Sequence, residues 1–349
     1  MRAALLSLGS KSSKITAQAM RKYFTDVDEL NIKEVEVKLS SKGPEVLYQG
    51  KPLPDYDCMY LKGSFKYVQI LRSVTCVLQE KTYVPIPDYA FTTGHDKLLT
   101  QLVLDQAGVP MPTTYISSST KEAKRILDRV SYPIVIKFPQ GTQGKGVTFA
   151  ESVSSAKSIL DAFASLNQPV IVQEFVETGG EDIRAFVVGG KVVAAMKRKA
   201  LEGEKRSNIH AGAKGEKVEL DLETKQIAVK AAKALKLDIC GIDILKGPQG
   251  PKVIEVNLSP GIQGITEATG IDVANKIAKH LYDATKSFHS TEKVEGEDED
   301  IPKIVTSISY SKGQLKVPEL IGKFAGIAKD DEVTISSGKR MIIISKNAR

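Results

Sequence analysis

A chain of 349 residues, 42% apolar and 26% charged, has room for two or three domains, and no stretch of it approaches the roughly 20 apolar residues of a membrane span. Its three cysteines, Cys58, Cys76 and Cys240, stand far apart with no C-x-x-C, which argues against a zinc or disulfide framework and suits a reducing cytoplasm. A net charge of +7 suits a protein that handles anions, without choosing among nucleotide phosphates, an acidic substrate and nucleic acid.

Residues 1–94 alternate short strands (Ala3–Leu8, Glu34–Leu39, Glu45–Tyr48, Cys58–Leu61) with helical stretches (Ile15–Phe24, Val68–Glu80). That alternation predicts an α/β unit with a largely parallel sheet. Met1–Leu8 is too brief and too soon broken for a signal peptide and reads as the first buried strand. The run Val84-Pro85-Ile86-Pro87-Asp88 cannot be helical and marks a boundary; a helix then starts near Asp96, whose side chain can cap it, and ends at Gly108. Residues 112–176 read as a small subdomain, with helices over 120–130 and 153–165 flanking the strands Pro133–Phe138 and Val147–Ala150. A larger body follows, with strands at 170–175, 183–189 and 191–197, a helix at 223–235, a hairpin, and a helix at 272–286. Glu292–Asp300 is almost wholly acidic and reads as a solvated linker before a separate module, Ile301–Arg349.

The hairpin joins Gly241-Ile242-Asp243-Ile244-Leu245 to Val253-Ile254-Glu255-Val256-Asn257 through a turn rich in glycine and proline. Side chains alternate faces along a strand, so Glu255 and Asn257 share one face while Ile254 and Val256 point into a core. A turn centred on Gln249 places Asp243 across from Glu255. Three oxygen-bearing side chains then converge, a set that suits magnesium or manganese. By itself the hairpin reads sooner as a solvated polar face over an apolar sheet.

Lys137 ends a strand and is followed by a loop with three glycines, Gly141, Gly144 and Gly146. Such a loop lets backbone N–H groups approach phosphate oxygens, and it is neither a P-loop nor a dinucleotide fingerprint. Gln173-Glu174-Phe175-Val176 ends the strand that links subdomain to body, where backbone groups and Glu174 could meet an adenine edge. Asp182 could reach a ribose hydroxyl, and Arg184 and Lys97 a phosphate. Arg206-Ser207-Asn208 sits in a polar, basic loop able to hold an anionic intermediate.

The order and spacing of these pieces, together with His95-Asp96-Lys97-Leu98, Glu255-Val256-Asn257-Leu258-Ser259-Pro260-Gly261 and Thr269-Gly270-Ile271-Asp272, resemble the ATP-grasp superfamily. Within it they are similar to the RimK-type glutamate ligases, over roughly residues 1–288. The resemblance implies an α/β (α+β) ATP-grasp fold: an N-terminal α/β domain over 1–94, an ATP-grasp domain over 95–288 with a lid at 112–176, and an acidic linker over 289–300. It implies ATP as substrate with two Mg2+ or Mn2+ ions, and L-glutamate joined to an acceptor carboxylate through an acyl-phosphate, with ADP released. The acceptor would be a small-molecule coenzyme or a protein C-terminus.

Carried onto matching positions, Lys97, Lys137 and Gly144 would meet the phosphates with Arg184, and Glu174, Phe175, Val176 and Asp182 the adenosine. Asp243, Glu255 and Asn257 would hold metal, and Arg206 and Asn208 would face the reacting groups. Where the ribosomal-protein-modifying members carry an arginine, this chain has Lys62. Residues 301–349 resemble the swapped-hairpin AbrB-type module, which implies a homo-oligomer ahead of DNA binding.

Overall fold

The computed structural model describes residues 1–139, 146–166, 168–199 and 214–296, and in the tail 309–311, 314–316, 327, 333–338 and 341–346. The chain divides into two compact units, Met1–Ser287 and Phe288–Arg349. No helix among the described residues is long and apolar enough to cross a membrane.

The first strand, β1 (Arg2–Ser7), is apolar from Ala3 to Leu6 because both its faces are covered, as parallel sheets require. It lies between β2 (Asp26–Asn31) and a later parallel strand, Cys58–Leu61. β2 was not expected: its sequence Asp-Val-Asp-Glu-Leu-Asn lacks an apolar run. It survives as an edge strand because Arg2 holds Asp26 and Asp28 at 3.2 and 2.7 Å. The expected strands at 34–39 and 45–48 form as β3 (Val35–Ser40) and β4 (Gly43–Tyr48), but outside the parallel sheet. With only Ser41 and Lys42 between them they can pair only antiparallel, and with β5 (Lys51–Pro52) they make a separate meander before β6 (Cys58–Leu61).

Helix α1 (Lys11–Met20) starts four residues earlier than expected because Ser10 caps it, its hydroxyl accepting from the Ser13 N–H. Helix α2 (Val68–Leu78) falls as expected, and the boundary after it carries a short unexpected helix, α3 (Asp88–Gly94), anchored by buried Ala90 and Phe91. Asp96 caps α4 (Lys97–Gln106), accepting from the N–H groups of Leu98 and Leu99 at 2.8 and 3.0 Å.

The segment expected to form a lid carries an antiparallel sheet of β7 (Thr114–Ser117), β8 (Ile134–Lys137), β9 (Val147–Ala150) and β10 (Val170–Glu174), in the order β7-β10-β8-β9. Its helices are α5 (Thr120–Lys124), shorter than the 120–130 expected, and α6 (Val153–Ala164); the core between includes Leu127, Ile136 and Leu160.

The body is a second antiparallel sheet built from β11 (Glu181–Val188), β12 (Lys191–Lys199), β13 (Lys214–Lys217), β14 (Ile239–Gly247) and β15 (Gly250–Asn257). The strands run in the order β13-β12-β11-β14-β15, with α7 (Leu222–Ala234) packed on the sheet. Helix α8 (Gln263–Thr269) stops at Gly270, which takes a left-handed φ of 70°, and α9 (Val273–Gly296) runs into the segment expected to be linker. In the tail, β16 (Ser309–Ser311) pairs with β17 (Gln314–Lys316) and β18 (Val333–Gly338) with β19 (Met341–Lys346). The helix expected around 319–324 lies outside the described residues.

The β14–β15 hairpin pairs Asp243 with Glu255 as expected, but by a different route. Gly247 pairs with Gly250, so the turn is the two residues Pro248 and Gln249, and that register alone would bring Asp243 opposite Ile254. Ile254 is skipped as a bulge, which restores Asp243 to Glu255 and Gly241 to Asn257. The expected core position of Ile254 is therefore wrong. Val256 is buried as expected, Val253 is buried in place of Ile254, and Ile254 turns to the cleft described below.

After the hairpin, Leu258 packs so closely on Gly94 that a β-carbon at Gly94 would overlap its side chain. Gly94→Ala is expected to cost about 1–3 kcal/mol in urea unfolding. A value within error of wild type would mean that Leu258 has room to move.

Candidate active site

The site grows from a row of charged side chains across one face of the body sheet. Asp182 and Arg184, two apart on β11, share that face; Arg198 of β12 stands opposite Asp182 and Asp243 of β14 opposite Arg184. Arg198 Nε and Nη2 donate to the two oxygens of Asp182, each at 2.6 Å, and Nη2 also lies 3.1 Å from Asp243 Oδ2. Arg184 grips Asp243 in the same two-pronged way, at 2.7 and 2.6 Å, and the Asn257 amide donates to Asp243 Oδ2 at 3.4 Å. Little water reaches the row: the Arg198, Asp182 and Asp243 side chains are 4%, 7% and 5% exposed.

Burial opposes the charge on Asp243, but the guanidiniums of Arg184 and Arg198 outweigh it and hold the carboxyl well below the usual range. Glu255 closes the row with no guanidinium paired to it among the described residues. Burial, and then Asp243 beside it, push its carboxyl up, against the pull of Lys97, Arg184 and Lys137. The row thus ends in excess negative charge facing two lysines.

Lys137 is buried at the end of β8, donating to Gln173 Oε1 at 2.8 Å; Gln173 in turn donates to Thr114 Oγ1 at 2.7 Å. Burial and then Lys97 lower its amine to about 8. Lys97 opens α4 and lines a cleft of about 520 Å³ whose wall includes Glu255 and Asn257. Lys62 lines the same cleft, and burial lowers its amine also to about 8.

The expected adenosine residues are placed less simply. The Glu174 carboxylate accepts from Lys252 Nζ, 3.1 Å from both oxygens, and from the Thr113 N–H at 3.0 Å, so an adenine amino group would meet an ion pair there. Phe175 meets Phe149 edge-on at 5.9 Å, and Val176 packs so tightly under Gly247 that a β-carbon there would come within 2.8 Å of it. Asp182 borders a separate cavity of about 210 Å³, and Arg198 engages both its oxygens. A ribose hydroxyl meeting Asp182 would therefore share its oxygens with Arg198. Gly144, Arg206 and Asn208 lie outside the described residues.

Asp243, Glu255 and Asn257 are hard oxygen donors of the kind Mg2+ or Mn2+ takes, and the repulsion on Glu255 is what a divalent cation relieves. The set fits such an ion, although no group of three His, Cys, Asp and Glu side chains gathers among the described residues; the third donor is an amide.

Sequence reasoning missed Arg198, Gln173 and Lys252. Lys197-Arg198-Lys199 reads as a solvated basic run, and only the pairing of β12 with β11 turns Arg198 inward against Asp182. The available signal was the alternation of Asp182 and Arg184 on one face, which demands opposite charges across both neighbouring strands.

Residues 94–281 match the model of the RimK-like ATP-grasp domain. A "Probable alpha-L-glutamate ligase" of Marinomonas sp. (strain MWYL1) is 38% identical over 304 residues, covering 85% of this chain and 99% of the relative. Another, of Picosynechococcus sp. (strain ATCC 27264 / PCC 7002 / PR-6), is 36% identical over 84% of this chain and 100% of its own. Among solved structures, the ATP-grasp ligase PsnB complexed with minimal precursor, Mg and ADP has a TM-score of 0.64 at 19% identity, over 82% of this chain and 98% of its own. The RimK domain ATP-grasp protein from Sphaerobacter thermophilus DSM 20745 has a TM-score of 0.62 at 17% identity, over 80% and 99%. At such identities the structural likeness speaks for the fold.

Removing Arg198 would take a two-pronged ion pair from buried Asp182 and one of two guanidiniums from Asp243 in a dry environment. Arg198→Ala should cost about 3–5 kcal/mol in chemical denaturation, against under about 0.5 for Lys199→Ala, whose side chain is 70% exposed. Equal losses would mean that the row carries no structural weight.

Proposed function

The chain belongs to the RimK-like ATP-grasp family and is an ATP-dependent carboxylate–amine ligase, and from that premise we propose that it joins the amine of L-glutamate to an acceptor carboxylate. The observation that carries the site assignment is the end of the charge row: Glu255 and Asn257 on the wall of a cleft shared with Lys97, and Lys137 close enough to act on the Glu255 charge. Two curated relatives bearing the glutamate name support the choice of amine.

A carboxylate and an amine do not condense at neutral pH until a carboxylate oxygen becomes a leaving group. In the proposed sequence an acceptor carboxylate oxygen attacks the γ-phosphorus of ATP and ADP leaves. The glutamate amine then attacks the acyl carbon, phosphate leaves with its electron pair, and the nitrogen loses a proton. Lys97 and Lys137 neutralise the phosphates during the first step, with Arg184, whose side chain is 19% exposed, shared between Asp243 and a phosphate. Gly144 and its loop cover the phosphates and exclude water. Phe175, Val176 and the backbone beside Glu174 form the adenine wall, while Asp182 acts at one remove by fixing Arg198. Arg206 and Asn208 face the acyl-phosphate and the tetrahedral centre after it. Asp243, Glu255 and Asn257 would hold Mg2+ or Mn2+, two ions in this reading, which would supply neutralisation of phosphate charge.

The acceptor carboxylate belongs to a small coenzyme or to a protein C-terminus, and the compartment is a reducing cytoplasm. The tail, 301–349, we assign to assembly of a homo-oligomer rather than to DNA. So small a module buries too little apolar surface to stand alone, and pairing with a second copy supplies a core.

Purified protein should release ADP and phosphate only with both glutamate and an acceptor acid; AMP and pyrophosphate, or equal turnover with other amino acids, would overturn the reading. Glu255→Gln should abolish turnover yet keep or raise the melting temperature. A carboxyl pushed up by folding penalises the fold while ionised at neutral pH, and Gln removes that penalty. Wild-type turnover in this variant sinks the metal assignment.

Cutting the chain after Gly296 should give a smaller assembly that retains glutamate-dependent ADP release. Unchanged mass with lost salt-sensitive DNA binding would reverse the ranking of the tail's two roles.

A further inference from the structure

The cleft that reaches Glu255 and Asn257 continues to a second polar patch supplied by the N-terminal part of the chain. Hydrogen-bonding capacity there is left unspent. Gln101, 7% exposed, has no partner for either Oε1 or Nε2, and His95 Nε2 is likewise buried and unpartnered. Lys62, 5% exposed, carries three donors, and its ammonium makes a long 3.4 Å hydrogen bond to the Pro260 carbonyl. Helix α1 opens into the same cleft at Ser10, bringing the positive end of its dipole.

A buried amide without partners is costly, and so is a buried ammonium whose contacts are one long hydrogen bond and the face of the Tyr60 ring at 5.5 Å. Glu255 is the one carboxylate among the described residues lining the cleft, and it belongs to the charge row. The Lys62 end is therefore cationic and polar, with no carboxylate beside it among the described lining residues.

We propose that Lys62 and Gln101, with the start of α1, bind an anionic group of the acceptor distinct from the carboxylate that reacts. The acceptor is then at least a dianion. This rests on the ligase reading, in which the reacting carboxylate lies at the Lys97–Glu255 end of the cleft. Donors from Lys62 and Gln101 Nε2 meet the carboxylate, and Gln101 Oε1 accepts an adjacent amide N–H. An acidic residue in amide linkage offers both, whether it ends a small molecule or a protein chain.

The test is calorimetry on the full chain with AMP-PNP and Mg2+, using N-acetyl-L-glutamate and its monoanionic counterpart N-acetyl-L-glutamine. Wild type should bind the dianion about tenfold more tightly or better, one charge-assisted contact being worth a factor of that size. Lys62→Met and Gln101→Leu should bring the ratio to within about threefold, and Lys62→Arg should keep it. Equal binding of the two probes by wild type, or a ratio that survives both substitutions, overturns the proposal. The wild-type comparison needs no variant to fold.

An acetylated octapeptide ending in glutamate separates the sources. Tighter binding of the peptide points to a chain end, and tighter binding of the free acid to a small molecule. Glutamate-dependent ADP release in the same preparation is read separately. If release fails while the dianion preference holds, the ligase reading falls and the anion patch stands. If release occurs without the preference, the patch falls alone.

Discussion

Asp243 is held between two guanidiniums inside a sheet, and the rest of the body is arranged to make that tolerable. A buried carboxylate is costly unless paired and fully hydrogen-bonded. Here Arg184 and Arg198 supply both conditions, and Asp182 satisfies the remaining face of Arg198. The row spans β12, β11 and β14, so it also ties the register of three strands, since a slip by one residue would turn every charge to the opposite face. Among the described residues the pairing runs out at Glu255, a carboxylate to which the sheet's own arginines make no ion pair.

What faces Glu255 comes from distant parts of the chain. The bulge at Ile254 aims Glu255 and Asn257 at the cleft, and the segment after the hairpin is fastened to the N-terminal domain. Ser12 Oγ donates to Gln263 Oε1 at 2.8 Å and accepts from the Ile262 N–H at 3.2 Å, while the Gly63 N–H donates to Ser259 Oγ at 3.2 Å. Gly94 lets Leu258 lie against the junction of α3 and α4. These links hold Lys62, His95 and Gln101 in one cavity with the charge row's open end. A single cleft lined by Lys62, His95, Lys97, Gln101 and Glu255 follows from them.

Legibility in the sequence followed how local each feature is. The Asp96 cap on α4 and the existence of the β14–β15 hairpin are set by residues within one or two turns of each other, and both were readable. The ordered motifs also sufficed for the ATP-grasp resemblance. The roles of Asp182 and Glu174 were less readable, because each carboxylate meets a cation from another strand, Arg198 and Lys252. β2 was missed for a related reason: its acidic residues look solvated until Arg2 of β1 is set beside them.

The sequence by itself determined most of the elements and the family, since hydrophobic periodicity, caps and motif spacing act over short range. The tertiary structure decided which charges are paired and which are left over. The bulge at Ile254, the inward turn of Arg198 and the unpartnered amide of Gln101 depend on strand register and on packing between segments more than a hundred residues apart. Electrostatic free energy in a dry interior is set by distance and by the absence of water, and neither exists until the chain has folded.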